Sequence, residues 1–498
     1  MQTRFKKQKG YITVYLTLLF GVLLPLPLSL LEGVAAGAAR LQAELVADLG
    51  IDSCFAEYHK ELLRQYGLFF IDDSYGTANG SVSQVEKHLA QYLSYNTAEE
   101  DSKKIAGYYN LQRLKKQYLE IEEVSFATDE AGAVWKAQAI AYMKARYGAT
   151  FVEEIKNRIQ IVEDNGLLSQ DLEESLGQTQ REMHDIIERK KEESEEMVDT
   201  GREEESFSYD KLMDAIQSWK AQSLFAIVMP ENETVSQMAF QKNKVVSYQY
   251  PQMLCNEGNG LPAELKNGFS LEEELLYNAY IMEKYGCFTK PKADSYLSYE
   301  VEYILFGKEK DFDNLQACVE RLVTLREVSN YLYLNTKDPV KKGQVRAVCT
   351  AICTFCMVPE LSEALTQVTL GLWAYAESLL DVKCLLKGGK VPLIKEKGDW
   401  NVSFSSLLHP NSWRQDYGYG SKKVTALSYS DYLSVLLACM DKEEKTLRSM
   451  DIVELDIRKT AGNEYFRLDQ CIDAMLVSFG FTDQYQHDYV FTRYMRYE

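Results

Sequence analysis

Two pairs of acidic residues have the types and spacing that could support hydrolysis. Glu300 and Glu302 lie in YEVEYILFG, and Glu377 and Asp381 lie four residues apart in WAYAESLLD. The second spacing places both carboxylates on one face of an otherwise apolar helix. A glycosidase-type pair needs two carboxyl groups about 5–10 Å apart, one of which serves as the general acid. These four residues are therefore the candidate catalytic groups.

A structural role for the same carboxylates is equally open from the residues alone. An unpaired buried charge is costly, so a buried ion pair with a cation such as Arg326, in LVTLREVSN, would also explain acidic residues in apolar helices. Carboxylates that face a solvent-filled cleft without a cation would favour an enzyme. Carboxylates buried against arginine or lysine would favour a structural role.

The cysteine and histidine spacings predict no metal or cofactor. Cys349, Cys353 and Cys356 have the Cys-x3-Cys-x2-Cys spacing of radical-SAM iron–sulfur ligands, but their flanks are apolar and no glycine-rich loop follows. Positions i, i+4 and i+7 share one helix face, which predicts a face packed in a core. The five histidines are dispersed and form no zinc signature. Neither KGGKVP nor YGYGSKK has the spacing of a phosphate-binding loop.

Charge and cysteine usage narrow the class of protein further. The 498 residues carry a formal net charge of −19, which argues against nucleic acid and against an anionic membrane surface as partners, because both would repel such a chain. The ten cysteines are scattered, and several fall within apolar helical patterns. We expect them to be buried free thiols that pack as small apolar side chains.

The elements that must position these residues are mostly helices. Apolar residues recur at helical spacing through most of the second half, whereas Leu119–Ala127 reads as a strand with a bulge. Apolar residues alternate on both sides of Thr482 and Asp483, which predicts a C-terminal β-hairpin. A hairpin is marginal alone, so we expect the strand near residue 120 and an N-terminal helix to complete a small antiparallel sheet.

The N-terminus predicts a membrane anchor. Four basic residues precede an uncharged run from Gly10 to Leu31, which is long enough as a helix to cross a hydrocarbon layer of about 30 Å. The positive-inside rule keeps the basic cluster in the cytoplasm and places the body outside. Leu41, Leu45 and Leu49 continue the helical period beyond the membrane. The residues expected to form the anchor include Tyr11, Leu16, Phe20, Pro25, Pro27 and Leu31, with the prolines kinking the helix.

The N-terminal segment could be either cleaved by signal peptidase or retained as an anchor. Val34-Ala35-Ala36 and Ala36-Gly37-Ala38 could serve as signal-peptidase sites, but the apolar run is longer than the roughly 7–15 residues usual for a signal peptide. A retained anchor is the prediction that we carry forward.

Several longer strings resemble those of a known group. KGYITVYLTLLFGVLLPL, SCFAEYHKELLRQYGLFFID, YEVEYILFGKEKDFDNL, LWAYAESLLDV and LLKGGKVPLIK resemble an uncharacterised family of anchored extracytoplasmic proteins of Gram-positive anaerobes. Its N-terminus is similar to that of the pseudopilins (TadE/TadG-like) of Tad, or tight-adherence, pilus systems. The resemblance implies that Lys9 and Gly10 form a prepilin processing junction. Tyr15 stands where type IV prepilins generally carry glutamate, which speaks against that cleavage.

These observations combine into one prediction. We expect a mainly α-helical protein with a small antiparallel β-sheet, a transmembrane stem helix, a pilin-like α+β module made from the two chain ends, and a large helical insertion. Its expected role is that of an accessory or pseudopilin-like component of a Tad-type pilus or secretion system, acting through contacts with the lipid bilayer and with other proteins of that system. A membrane-anchored surface hydrolase is the alternative. The predicted segments are a basic leader (1–9), a transmembrane helix (10–31), the stem and first strand (32–149), a charged helical hairpin (150–205), a helical domain (206–462) and the C-terminal hairpin (463–498).

Overall fold

The computed structural model describes residues 9–97, 113–164, 224–230, 233–249, 268–355, 362–396, 398–404 and 426–497. These residues divide into two compact units. Unit 1 contains the described residues up to Gln138 and those from Thr460 onward. Unit 2 contains the described residues between Ala139 and Lys459. Most of the predicted charged hairpin (150–205), together with Cys356 and the first eight residues, lies outside the described residues.

The α-helices, in chain order, are α1 (Lys9–Leu23), α2 (Pro25–Phe55), α3 (Lys60–Tyr66), α4 (Val82–Thr97), α5 (Asp129–Asp164), α6 (Leu224–Val228), α7 (Val246–Gln249), α8 (Leu271–Lys284), α9 (Glu300–Phe306), α10 (Asp311–Leu332), α11 (Pro339–Phe355), α12 (Ser362–Leu386), α13 (Tyr429–Cys439) and α14 (Lys442–Arg458). The strands are β1 (Ile71–Asp72), β2 (Lys115–Phe126), β3 (Val391–Pro392), β4 (Ala426–Leu427), β5 (Cys471–Thr482) and β6 (Asp488–Arg496).

Helices α1 and α2 form one rod that bends at Leu24. Proline at positions 25 and 27 removes backbone donors there, yet the Leu24 and Leu28 N–H groups still reach Phe20 and Leu24 carbonyls across the bend. Between Tyr11 and Phe55 this rod is long and apolar enough, by length and composition, to cross a membrane, and its most apolar window is entirely exposed.

The sheet of unit 1 joins the two ends of the chain. Strand β5 lies in the centre, with β2 antiparallel on one side and β6 antiparallel on the other. The short β1 also pairs with β5, through Ile71 opposite Ile472. Strand β2 has three register shifts, the bulges that its alternation required. One face of this sheet packs against α2 and α4 in a single apolar core.

Helix α2 buries small residues and exposes large ones. Its buried face consists of Ala39, Ala43, Val46, Ala47, Gly50, Ile51, Cys54 and Phe55. Leu41, Leu45 and Leu49, the residues whose period marked the helix, are 60%, 51% and 41% exposed. The small side chains let α4 approach closely, since a Cβ atom at Gly50 would fall 2.8 Å from Leu93. Helix packing here therefore uses the small face, not the leucine face.

Unit 2 is helical apart from the two-stranded ribbon β3–β4. Helices α10 and α12 pack side by side, and α11 packs on α12. Helix α12 is followed by Gly388 in the left-handed conformation (φ 80°), and the Gly389 N–H then bonds the Cys384 carbonyl. Helix α9 likewise stops at Gly307, whose φ is 61°. After these two helix ends the chain turns, so that β3 lies beside the acidic residues of α12 and the start of α10 lies beside those of α9.

The predicted fold class is confirmed. The described chain is mostly helical, with a small antiparallel sheet and one long apolar N-terminal helix. The predicted C-terminal hairpin is present as β5 and β6, and the strand expected near residue 120 is β2, which begins four residues earlier than expected. The proposed pilin-like character of the module stays a prediction.

Candidate functional site

The acidic pair on α12 is completely buried and bound to two cations. Glu377 is 0% and Asp381 2% exposed. The Lys395 ammonium donates to Glu377 and lies 2.6 Å from Asp381 Oδ1. The Arg326 guanidinium, from α10, donates through Nε and Nη2 to Asp381 Oδ2 at 3.1 and 3.0 Å. We call these four residues the cation-paired cluster, and its formal charges balance.

Further donors occupy the remaining oxygens of this cluster. Backbone N–H groups of Asn401 and Val402 donate to Glu377 at 2.9 and 2.7 Å, and the Asn330 amide donates to Asp381 at 3.1 Å. Burial alone would raise the pKa of Asp381, but the Lys395 and Arg326 charges outweigh it and hold that pKa below its usual value. Asp381 is thus held ionised, and both carboxyl groups accept hydrogen bonds through both of their oxygens.

The pair on α9 is neutralised in another way. Glu300 and Glu302 are both 0% exposed. Glu302 accepts hydrogen bonds through one oxygen only, from the Phe288 N–H at 2.9 Å and the Tyr429 hydroxyl at 2.7 Å, while its Oε2 is buried without a partner. Among the residues that the structure describes, no lysine or arginine forms an ion pair with Glu302. Burial raises the pKa of this carboxyl to about 7.

Glu300 does not pair with Glu302 but lies near Asp456, on α14. The Gly286 N–H donates to Glu300, and Lys292 contacts both acids, at 2.7 Å from Asp456 and 3.9 Å from Glu300. Burial, then the charge of Asp456, raises the pKa of Glu300 well above its usual value. We call Glu300 and Glu302 the proton-held cluster, because burial raises the pKa of both carboxyls and so favours their protonated forms.

These positions favour a structural role over acid–base catalysis. A catalytic carboxyl must reach a substrate, whereas all four candidate residues are withdrawn from solvent and most of their oxygens accept hydrogen bonds from the protein. The structure brings Glu377 and Asp381 together around one lysine ammonium. It directs Glu300 and Glu302 to different partners.

The cysteines and histidines within the described part of the chain behave as packing and capping groups. Cys349 and Cys353 are buried on one face of α11, and no described cysteine forms a disulfide. His59 accepts from the Leu62 N–H at the start of α3 and binds Asn463 through its other nitrogen. No group of three or more His, Cys, Asp or Glu residues in the described ranges has the geometry to hold a metal ion.

Unit 1 contains a polar centre that the sequence did not reveal. The Glu57 carboxylate accepts from the hydroxyls of Tyr75 and Tyr92, at 2.8 and 2.6 Å, and lies 3.0 Å from His88 Nδ1. The hydrogen bond to Glu57 raises the pKa of Tyr92 to about 12. Only His88 and Tyr92 share a helical spacing, so no local pattern predicts this convergence. The centre joins the turn after α2, the loop after β1 and helix α4.

A second unpredicted feature is a lysine held between two tryptophans in unit 2. The Lys341 ammonium lies 3.9 Å from the ring centroid of Trp400 and 5.2 Å from that of Trp373. Trp373 also donates its ring N–H to the Val402 carbonyl at 2.9 Å. This cation–π arrangement connects α11 and α12 to the segment that covers Glu377.

The residues that the sequence predicts as a membrane anchor form a continuous apolar surface. Tyr11, Leu16, Phe20 and Leu31 are all exposed on the α1–α2 rod, and Pro25 and Pro27 lie just after its bend. Lys9 and Gly10, the junction implied by the resemblance, are the first two residues of α1. Cleavage there stays a prediction.

Comparison with known proteins gives one match. No curated protein and no solved structure matches this chain. One family model, described as a family of unknown function (DUF5702), matches residues 202–483, a range that begins after the N-terminal strings that resemble pseudopilins. Because the match covers more than half of its length, the chain belongs to DUF5702, a family of unknown function.

Proposed function

We propose that this protein is a single-pass membrane protein with an extracytoplasmic body, which serves as an accessory or pseudopilin-like component of a Tad-type pilus or secretion system. It acts through protein–protein contacts and not through catalysis. The basic residues before Gly10 remain in the cytoplasm, and the strongly acidic remainder lies outside.

The exposed apolar rod carries this proposal. The most apolar window between Tyr11 and Phe55 has none of its surface buried by the rest of the protein. In water such a surface would cost about 25 cal/mol for every square ångström left uncovered. A bilayer removes that cost, and the run from Gly10 to Leu31 has the length to span it.

The exposed leucines of α2 support a role in assembly. Leu41, Leu45 and Leu49 lie one above another on the face opposite the apolar core of unit 1. They continue the apolar surface of the anchor beyond the membrane. A second apolar helix that packs along the anchor could continue onto this stripe, which gives the rod a lateral binding face.

Fractionation, shearing and crosslinking in the host test the proposal. We expect the intact chain in the membrane fraction, with recovery alongside sheared pili. A photo-crosslinking residue at Leu45 should capture a membrane protein of the Tad system, identified by mass spectrometry. The same residue at Tyr465, which is 56% exposed elsewhere in unit 1, is the matched control and should not.

Three results would contradict the proposal. The intact chain in the cytosol would remove the anchor. A soluble product that begins near Gly37 or Ala39, found by N-terminal sequencing, would show a cleaved signal instead. A membrane-bound chain that crosslinks equally from Leu45 and Tyr465, or to no Tad protein, would end the assignment to this system.

A further inference from the structure

Strand β6 runs beside α2, and three contacts fix its height along that helix. The Tyr489 hydroxyl lies 3.4 Å from the Ala36 carbonyl, Arg493 Nε donates to Asp48 at 2.7 Å, and the Tyr497 hydroxyl donates to the Phe55 carbonyl. Successive residues of β6 therefore meet successive turns of α2. The start of β6 lies at the level of Ala36, a few residues beyond the predicted anchor.

The turn before β6 extends still further toward the anchor. Ala36 follows Leu31, the last residue of the uncharged run, by five residues, or about 7.5 Å of helix. The polar headgroup layer on each side of a bilayer is about 5–7 Å thick. The turn from Asp483 to His487 precedes Tyr489 and points away from Phe55. If the rod is the proposed anchor, this turn lies at the level of the headgroups.

The turn is ordered so that one aromatic side chain faces outward. Asp483 accepts from the Tyr485 N–H at 2.7 Å, the His487 N–H at 3.0 Å and the Tyr489 hydroxyl at 3.0 Å. Burial would raise the pKa of Asp483, but the hydrogen bonds from His487 and its neighbours hold it below the usual value. Tyr485 is left 58% exposed. Tyrosine is a preferred residue at the membrane–water interface because it has an apolar ring and a polar end.

Basic residues lie at the same edge of the sheet. The antiparallel register places Lys115 opposite Thr482 and Lys116 opposite Phe481, so β2 starts where the β5–β6 turn is. Arg113 and Lys115 are exposed. Within the described ranges, this edge includes the acidic residues Asp483, which binds His487, and Asp488, which accepts a hydrogen bond from Thr482. A basic edge is unusual on a chain with a net charge of −19.

We propose that this edge of the sheet, comprising Arg113, Lys115, Lys116 and Tyr485, is a second membrane-binding site that contacts anionic phospholipid headgroups. The tyrosine inserts among the headgroups while the basic side chains bind lipid phosphates. The site fixes how unit 1 is rotated about its anchor. This inference rests on the proposed anchor, which supplies the position of the bilayer.

Depth-dependent fluorescence quenching tests the site on the full-length protein. Tyr485→Trp is compared with Tyr494→Trp, a control on β6 that is 52% exposed and about 17 Å beyond Tyr489. Both variants contain the same native tryptophans. In vesicles of phosphatidylcholine and phosphatidylglycerol with bromines near the headgroups, we expect additional quenching and a blue shift for Tyr485→Trp only.

A charge reversal tests the anionic lipid. Adding Lys115→Glu to the Tyr485→Trp variant should weaken the binding of this edge to the bilayer. The ratio of membrane-bound to unbound edge should fall by about fivefold for each charge unit lost. Lys60→Glu, an exposed control in α3, should leave the quenching unchanged. The effect of Lys115→Glu should vanish in pure phosphatidylcholine vesicles.

Vesicle flotation separates failure of this site from failure of the anchor. A chain that does not float with vesicles overturns the anchor and this inference with it. A chain that floats while the Tyr485→Trp and Tyr494→Trp variants quench equally overturns the second site alone. If the quenching of the Tyr485→Trp variant changes neither when Lys115→Glu is added nor when the anionic lipid is left out, the assignment to anionic phospholipid is overturned.

Discussion

The cation-paired cluster and the proton-held cluster of unit 2 solve the same problem in opposite ways. Both place two carboxyl groups among apolar helices, where an unpaired charge would be very costly. Around Glu377 and Asp381, Arg326 and Lys395 supply two positive charges. Around Glu302, the chain supplies two hydrogen-bond donors and leaves one oxygen without a partner.

The difference shows that the groups around a buried carboxyl decide whether it is ionised or protonated. The pKa of Asp381 is held low, whereas that of Glu302 is raised to about 7. The first cluster stabilises the fold only while Asp381 is ionised. The second stabilises the fold best while its carboxyls are protonated. The contributions of the two clusters to the free energy of unfolding should therefore change in opposite directions with pH. The loss of a partner residue should also lower that free energy by different amounts in the two clusters.

Removing a cation from the first cluster should have the largest effect. Lys395→Met leaves Glu377 and Asp381 facing each other with one cation fewer, which should lower the free energy of unfolding by about 3–5 kcal/mol. Urea unfolding of the full chain in detergent micelles at pH 7 measures this loss.

The matched control for that change is Lys390→Met, at an exposed lysine five residues earlier, which should alter stability by no more than about 0.5 kcal/mol. A Lys395→Met/Glu377→Gln double variant should recover part of the loss. Equal stability of the two single variants would show that Lys395 does not neutralise the cluster.

Preventing ionisation in the second cluster should have the next largest effect. Because the pKa of Glu302 rises from 4.5 to about 7 on folding, its contribution is complete below pH 4.5 and is lost as the pH rises through 7. Glu302→Gln should therefore gain about 3 kcal/mol on the wild type between pH 4 and pH 8. Urea unfolding at a series of pH values measures the difference.

Asp381→Asn supplies the opposite case for comparison. Since the pKa of Asp381 is lowered on folding, its contribution is present above pH 3.8 and is lost as the pH falls further. The deficit of Asp381→Asn against the wild type should shrink in acid, whereas the advantage of Glu302→Gln should disappear there. Parallel pH profiles for the two variants would refute the distinction between the clusters.

Removal of a single hydroxyl should have the smallest effect. Tyr429→Phe deletes a donor to Glu302 and should cost about 1 kcal/mol. It should also raise the pKa of Glu302 further, which moves the pH-dependent loss of stability to higher pH. Tyr432→Phe, which removes a hydroxyl that contacts Arg326 in the other cluster, should leave that midpoint in place. A shift of equal size in both variants would contradict the assignment.

Local sequence signals predicted much of the fold. Glycine follows an apolar helical run at the ends of α3 and α12, which is a sequence signal for a helix end, and both Gly67 and Gly388 have the left-handed backbone that ends a helix. The alternation around Thr482 and Asp483 located the terminal hairpin. The buried face of α2 was harder to identify, because its contacts are made by alanine and glycine. The hydrophobic period instead predicts a buried face at Leu41, Leu45 and Leu49, which are exposed.

The partners of the buried acids were only partly predictable. Arg326 could be named because a cation in an apolar helix needs an acid, but its partner is Asp381, 55 residues away, and not the α9 pair. Lys395 lies 18 residues from Glu377, on the far side of the turn at Gly388. The convergence of Tyr75, His88 and Tyr92 on Glu57 depends on tertiary packing alone. No spacing rule reports contacts of this kind.

The place of β5 in the sheet sets the order in which the protein can mature. Strands β1 and β2 and the packed face of α2 emerge early during synthesis, yet the strand that they all need begins only at Cys471. Until that strand arrives, β2 has an unpaired edge of the kind that aggregates or is proteolysed. A chain cut short anywhere in the long intervening segment should consequently be degraded instead of accumulating as a tethered fragment.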